Sequence, residues 1–378
     1  MTDAAPLGVY VHWPYCARIC PYCDFNVVRD RGKTEEQAAL ARAIVADLVR
    51  RRDETGPRRL TSIFFGGGTP SLMDPAVVAA VIDTATGLWS PEPDLEVSLE
   101  ANPTDAEAAR FTAFADAGVT RLSLGVQSLD DDALKFLGRN HDAAAARRAA
   151  EAARAAFPRL SLDMIYARPG QTAHGWREEL TAALALGPEH VSPYQLTIEP
   201  GTAFDRAVRR GALVPPGEGL AADLFETTQQ VLRAAGFDAY EVSNHAKGAP
   251  ARARHNLVYW KGWDYVGAGP GAHGRLSLEG ARIATAAPRK IADYIAGEGF
   301  ERETLTPRQA AEERLLMGLR IDEGVAVAEV AALAIPPGKV GDLVEAGLLA
   351  DDPDRLRATA AGRLVLDRLT AELALPPA

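Results

Sequence analysis

Cysteine is scarce in this chain: three in 378 residues, Cys16, Cys20 and Cys23. An odd count leaves a thiol over, and nothing marks secretion, so a disulfide framework is not expected. The chain also has no run approaching the ~20 apolar residues of a membrane span. Its opening, MTDAAPLGVYVHWP, has no basic stretch followed by an apolar one, so no signal peptide is expected. Basic charge is in deficit. Forty-one Lys and Arg stand against 51 Asp and Glu, a net of −10, the wrong sign for nonspecific nucleic-acid binding. Hydrophobic content of 47% and charge of 24% are those of an ordinary globular chain. The length predicts about two or three domains. The expected location is the cytoplasm, where thiolates stay reduced.

What is present is the clustering of those thiols. The spacing C-x3-C-x2-C is a ligand set for one metal centre. An iron–sulfur cluster normally takes four cysteines, so three would leave one iron with an open position, and open positions are where metal centres do chemistry. A zinc site competes on this segment alone, because His12 lies four residues before Cys16 and would complete a Cys3His set.

Short apolar runs alternate with Ala- and Leu-rich stretches through the first two-thirds. Strands are expected at Val9–Trp13, Ser62–Phe65, Leu95–Leu99, Arg121–Leu124, Ser161–Tyr166 and Val191–Leu196. Helices are expected at Glu35–Arg52, Pro75–Leu88, Asp105–Ala117, Asp142–Phe157 and Thr172–Leu186. That alternation predicts an α/β fold of parallel β/α units, six of them, forming an incomplete (β/α)6 TIM-like barrel over residues 1–240. A connecting segment, 241–300, is expected to lead to an accessory unit over 301–378, α-helical and winged-helix-like. Thr306-Pro307-Arg308-Gln309 reads as a helix start with a capping box. From Glu301 onward 9 Lys/Arg face 14 Asp/Glu, so this unit is read as packing or meeting a partner rather than DNA.

Gly66-Gly67-Gly68-Thr69-Pro70 directly follows the apolar run Ile63-Phe64-Phe65. Glycines there let the backbone approach a ligand closely, although a tight turn alone accounts for them equally well. Other polar residues fall at the same strand ends, where parallel β/α barrels hold ligands. Glu100 closes one run, Gln127 follows another, and Asp163 interrupts a third. A carboxylate accepts hydrogen bonds from hydroxyls, an amide can donate or accept, and Arg139 is suited to a ligand carboxylate.

The cysteine motif, with Tyr22 before its last member, and the GGGTP turn resemble the radical SAM superfamily. That resemblance implies a [4Fe–4S] cluster on Cys16, Cys20 and Cys23, chelation of its open iron by S-adenosylmethionine, and reductive cleavage to a 5′-deoxyadenosyl radical. It disfavours zinc. Within the superfamily the chain is similar to the oxygen-independent coproporphyrinogen III oxidase-like branch. The carriers are Val9–Pro14, Ser98–Pro103, Leu124–Ser128, Asp163–Tyr166 and Pro169–Thr172. Carried over residue by residue, Tyr10, Tyr22, Gly67, Gly68, Thr69, Glu100, Gln127, Arg139 and Asp163 are implied to contact S-adenosylmethionine. Ala167-Arg168 departs from the Gly-Leu more usual in the branch.

Two features separate members of the branch. The oxidase carries a fourth cysteine two residues after the third; here Cys23 is followed by Asp24 and Phe25. The second is His255-Asn256-Leu257-Val258-Tyr259-Trp260, an H-N-x-x-Y-W signature resembling HemW-type heme chaperones, as do Tyr240–Asn244 and Gly267–Gly274. Ala253 stands where relatives often place a cysteine. The resemblance implies heme binding, with His255 as the expected contact, and transfer to an acceptor hemoprotein. It also implies an electron donor such as a flavodoxin or ferredoxin. Tyr259, Trp260, Trp263 and Tyr265 would suit a flat macrocycle; equally, they would suit an aromatic core around a structural histidine. Oxidative decarboxylation of coproporphyrinogen III is the alternative function.

Overall fold

Strands covered on both faces read as nearly unbroken apolar runs, and six such runs form a row of parallel strands. They are β1 (Pro6–Trp13), β2 (Arg59–Gly67), β3 (Ser90–Ala101), β4 (Arg121–Gln127), β5 (Arg159–Tyr166) and β6 (His190–Gln195). The computed structural model describes residues 4–375. Each strand pairs with the next in parallel. The row does not close on itself. Beyond β1 come Asp264–Ala268, parallel, and then the antiparallel strands His273–Leu278, Ala281–Ala286 and Glu301–Thr304. Beyond β6 lie two short antiparallel strands, His245–Ala246 and Asp238–Ala239. The result is one open 12-stranded sheet.

Alternation along each strand sorts the side chains. Leu7, Val9, Val11, Ile63, Phe65, Val97, Leu99, Leu122, Leu124 and Leu162 join the core under the covering helices. The opposite face carries Tyr10, Phe64, Ser98, Glu100, Ser123, Asp163 and Ser192, set side by side by the register. This polar inner face holds the site.

The covering helices start where the sequence supplies caps. Asp74, Asp142 and Thr172 each accept a backbone N–H from the first turn of the helix that follows. In Ala143–Ala156 the alanines at 145, 146, 149, 150 and 153 are buried, so the alanine-rich face packs tightly and the arginines stay outside. The single helix expected over Asp105–Ala117 is instead two, Asp105–Ala108 and Phe111–Asp116. The break lets Arg110 donate to Ser71 O at 2.7 Å and Met73 O at 2.5 Å, while Glu107 accepts from Asn102 N at 2.8 Å. These bonds tie the helix pair to the turn after β2.

The C-terminal unit has its own core, which includes Leu315, Leu319, Val330, Leu333, Leu356 and Leu369. Thr306 and Gln309 form the capping box that opens helix Pro307–Gly318. Val325–Ala326 pairs with Arg355–Leu356 as a small wing between helices. None of the described helices is long and apolar enough to cross a membrane.

Candidate cofactor site

The three cysteines lie on a loop that leaves β1 and folds back along itself. Tyr15 and Cys16 pair in parallel with Val28 and Arg29, and Asp30 N donates to Cys16 O at 2.8 Å. His12 pins this loop: Nε2 donates to Asn26 O at 2.8 Å, and Nδ1 accepts from the Tyr10 hydroxyl at 2.9 Å. With both ring nitrogens engaged, His12 is a structural brace, and the Cys3His zinc reading loses its fourth ligand. Asn26 is held in turn by Pro270 O and Arg289 O, each at 2.9 Å. The glycines of Gly267–Gly274 explain themselves here. A Cβ on Gly269 would lie 2.2 Å from His12 O, and one on Gly271 would lie 2.8 Å from Asn26 Nδ2. The glycine-rich segment buttresses the cysteine loop from behind.

A cavity of about 500 Å³ opens at the C-terminal ends of the parallel strands, and Cys16, Cys20 and Cys23 share its wall with Tyr22, Gly67, Gly68, Thr69, Glu100, Gln127, Arg139 and Asp163. All eleven residues expected there besides Tyr10 and His255 line this cavity, Gln127 from a left-handed backbone (φ 63°). Such a conformation in a side-chain-bearing residue is costly and clusters at functional sites. Gly67 takes φ 104°, and Gly68 passes so close to Trp13 and Tyr15 that no side chain fits.

Arg139 organises one wall. Its Nη1 donates to Cys20 Sγ at 3.3 Å and to the Tyr22 hydroxyl at 3.4 Å; its Nη2 donates to Gly125 O at 3.2 Å and to Asn102 Oδ1. The buried Nε has no protein partner. Asn102 also donates to Thr69 Oγ1 at 3.1 Å, linking this wall to the GGGTP turn. Its role was not assigned from the sequence, although its place just past the end of β3, on the same rim as Glu100, was the available signal.

Opposite stand two carboxyls. Burial, reinforced by Asp163, pushes Glu100 up to about 8, although Gly67 N donates to it at 3.2 Å. Burial likewise pushes Asp163 up to about 6, against hydrogen bonds from Ser192 and Ser123. Burial raises the Cys16 thiol to about 11, with Thr69 opposing. Burial raises the Cys23 thiol as well, and a bound metal ion is what compensates thiolates in such a place.

Tyr10 and His255 do not line this cavity. They lie on the inner face nearer the strand starts. His255 stacks on Phe64 at 3.9 Å, meets Tyr259 edge-on at 4.7 Å and lies 5.9 Å from Tyr10. Its helix, Arg254–Trp260, is capped by Glu96, which accepts from Arg254 N at 2.9 Å and His255 N at 3.3 Å. Burial lowers His255 to about 3, so it is neutral. The four aromatics do not form one wall. Tyr259 meets Tyr265 edge-on at 4.6 Å, whereas Trp260 lies under Arg320 and Trp263 beside Lys261. Ala167, at the Ala-Arg departure, takes φ 60°, and Arg168 is locked onto Ser128 and Glu179.

Comparisons with known proteins agree with this geometry. Residues 10–183 match the Radical SAM superfamily, and residues 305–365 match the HemN C-terminal domain. A mitochondrial radical S-adenosyl methionine domain-containing protein 1 from Bos taurus is 41% identical over 97% of this chain and 87% of its own length. The heme chaperone HemW of Haemophilus influenzae is 39% identical over 82% of this chain and 80% of that protein. The Bacillus subtilis protein of the same name is 34% identical over 95% and 96%. Coproporphyrinogen III oxidase (HemN) from Escherichia coli superposes with a TM-score of 0.79 at 20% identity, covering 98% of this chain and 90% of that one, a likeness of fold. A cysteine loop braced by His12, a glycine cradle after β2 and full-length relatives together settle the family: the chain belongs to the radical SAM superfamily, in its HemN-like branch and among the HemW-type proteins.

Proposed function

We propose that this chain is a cytoplasmic heme chaperone, which binds heme and passes it to an acceptor hemoprotein. In this reading Cys16, Cys20 and Cys23 hold a [4Fe–4S] cluster, and S-adenosylmethionine exchanges in the cavity beside it. What carries the reading is the near-full-length similarity to proteins named heme chaperones, together with Phe25 at the position of the oxidase's fourth cysteine. Phe25 is 61% exposed on the cavity wall.

The residues fit those groups. Gly67 and Gly68 bring bare backbone to the cavity wall, where a ligand can approach it closely. Glu100 and Asp163 offer acceptors, Gln127 offers an amide, and Arg139 brings a cation to the wall. A cluster held by three thiolates supplies an open iron position and low-potential electrons, which a flavodoxin or ferredoxin would replenish. Arg139 and Tyr22 hold the Cys20 side of the loop in place before anything binds.

The test is an anaerobic heme titration of the cluster-reconstituted protein, followed by the Soret band. Saturable uptake near one heme per chain supports the chaperone. Weak, unsaturable uptake overturns it, and protoporphyrinogen formation by the same reduced sample would then establish the oxidase.

A further inference from the structure

A guanidinium donates and never accepts, so whatever touches Arg139 must present a lone pair. One end of it meets the cysteine loop, where Nη1 donates to Cys20 Sγ at 3.3 Å. The other end donates to Asn102 Oδ1 and to Gly125 O. That contact decides which way the Asn102 amide stands. With Oδ1 toward Arg139, Nδ2 is turned to the far side, where it donates to Thr69 Oγ1 at 3.1 Å.

Thr69 has a single hydroxyl proton. Its oxygen already accepts from Asn102, so that proton goes to another acceptor, and the Cys16 sulfur lies within its hydrogen-bonding reach. The backbone N–H of Phe25 serves Cys23 in the same way. Each of the three sulfurs therefore has an N–H or O–H directed at it. Two of these donors trace to one arginine, directly at Cys20 and through an amide and a hydroxyl at Cys16.

Asn102 is the joint of this chain, and its backbone is fixed. Glu107, 4% exposed, accepts from Asn102 N at 2.8 Å and from the Ser71 hydroxyl. The side chain can then span from the turn after β2 to Arg139. Among side chains of this length, an amide accepts on one side and donates on the other. A carboxylate here would accept from both neighbours and draw the Thr69 proton away from Cys16, and an aliphatic group would leave the hydroxyl unguided.

Hydrogen bonds to the ligating sulfurs help to set the potential of an iron–sulfur cluster, because they stabilise the added negative charge of its reduced form. We propose that Asn102 is a positioning residue for the cluster: by orienting the Thr69 hydroxyl toward Cys16 it raises the reduction potential, in concert with the bond from Arg139 to Cys20. The proposal rests on the cluster reading above and deepens it. The ease of taking one electron from an external carrier becomes a property of the β2 turn and the end of β3 as well as of the cysteine loop.

The experiment is an anaerobic redox titration with dithionite, followed by electron paramagnetic resonance, on the cluster-reconstituted protein without S-adenosylmethionine. It compares wild type, Thr69→Val, Thr69→Ser, Asn102→Leu and the double variant Asn102→Leu/Thr69→Val. Iron content and near-ultraviolet circular dichroism establish that each is loaded and folded. Thr69→Val should disfavour the reduced form roughly 10-fold, about 59 mV for one electron. Thr69→Ser keeps the hydroxyl and should restore the wild-type potential. Asn102→Leu should shift it in the same direction, roughly 3-fold, and the double variant should go no further than Thr69→Val alone, since Asn102 acts through that hydroxyl. A wild-type potential in Thr69→Val, or additive shifts in the double variant, overturns the relay. So does Asn102→Leu if it merely loses iron while the remaining cluster keeps the wild-type potential. Should Asn102→Leu assemble no cluster, Asn102→Ser is read against the same outcomes. A wild type that forms no reducible cluster overturns the cluster reading itself.

Discussion

A methyl group added at Gly68 would lie 2.7 Å from Tyr15 O and 2.8 Å from Trp13 O, both backbone atoms that cannot rotate away. The turn after β2 and the root of the cysteine loop are therefore in direct contact, and Gly68→Ala must push them apart. Overpacking of this kind costs about 1–3 kcal/mol. The expected result is a lower urea midpoint and less iron retained after reconstitution, read by denaturation and metal analysis. Glu100 gives a second outcome at this scale. Its folded pKa, about 8, stands above the unconstrained 4.5, so the folded chain holds a proton that the unfolded chain releases. Its contribution to stability is fully present below pH 4.5 and is lost as pH rises through about 8. Stability of the cluster-free chain should therefore fall across that window, and Glu100→Gln should flatten the slope in pH-dependent urea unfolding. A slope that persists unchanged would assign it to another group. The cysteines, the GGGTP turn and the rim carboxyls were legible in the sequence because each combines a distinctive residue type with a strand end. Asn102 was not, because its part rests on meeting Arg139 and Thr69 across the rim, contacts between distant segments that no local motif shows.

Among the elements, helix Arg254–Trp260 shows how tertiary charge can position a motif. Glu96, 1% exposed, accepts from Arg121 Nε at 3.0 Å, Arg159 Nη1 at 3.1 Å and two backbone N–H groups of that helix. Glu96→Ala would take from buried Arg121 the nearer of its two carboxylates, leaving Glu189 at 3.6 Å, and would uncap the helix, a loss of about 3 kcal/mol. Thermal unfolding should show a large drop, whereas the same change at the exposed Glu178 should show none. An equal response at both positions would remove Glu96 from this role. The six parallel strands were legible because runs such as Val97–Leu99 and Leu160–Leu162 are apolar on the helix-covered side and small or polar on the other. Asp264–Ala268 was not. Asp264 and Gly267 interrupt its apolar pattern, yet Asp264 is satisfied by Ser277 N at 2.9 Å and Arg282 Nη1 at 2.6 Å, and a Cβ at Gly267 would meet His273 O. The split of the 105–117 helix was equally invisible, since it depends on carbonyls of the turn at Ser71 and Met73.

The whole molecule rests on two cores joined by charge. Arg252–Asp322 at 2.7 Å, Lys261–Glu323 at 2.9 Å and Arg275–Glu313 at 2.7 Å cross from the sheet side to the C-terminal unit. Each such pair, partly solvated, contributes about 1 kcal/mol or less. Replacing Glu313, Asp322 and Glu323 together by alanine should make the C-terminal unit more protease-sensitive while leaving cluster binding intact. Limited proteolysis with mass spectrometry reads this directly, and an unchanged cleavage pattern would show that apolar contacts such as Val242 carry the junction.

β1 stands in the interior of the sheet, between β2 and Asp264–Ala268. One of its two neighbours is thus encoded some 250 residues downstream. On the ribosome, the edge of β1 that will meet Asp264–Ala268 stays open through most of synthesis, with the cysteine loop hanging from its end. The loop's rear support, Gly269 and Gly271, arrives at the same late moment. Nascent chains truncated before Gly271 should therefore carry the thiols without their brace. In the proposed reading, iron would therefore be acquired only after the first two-thirds of the protein is made, and the unpaired edge is the part most in need of protection until then.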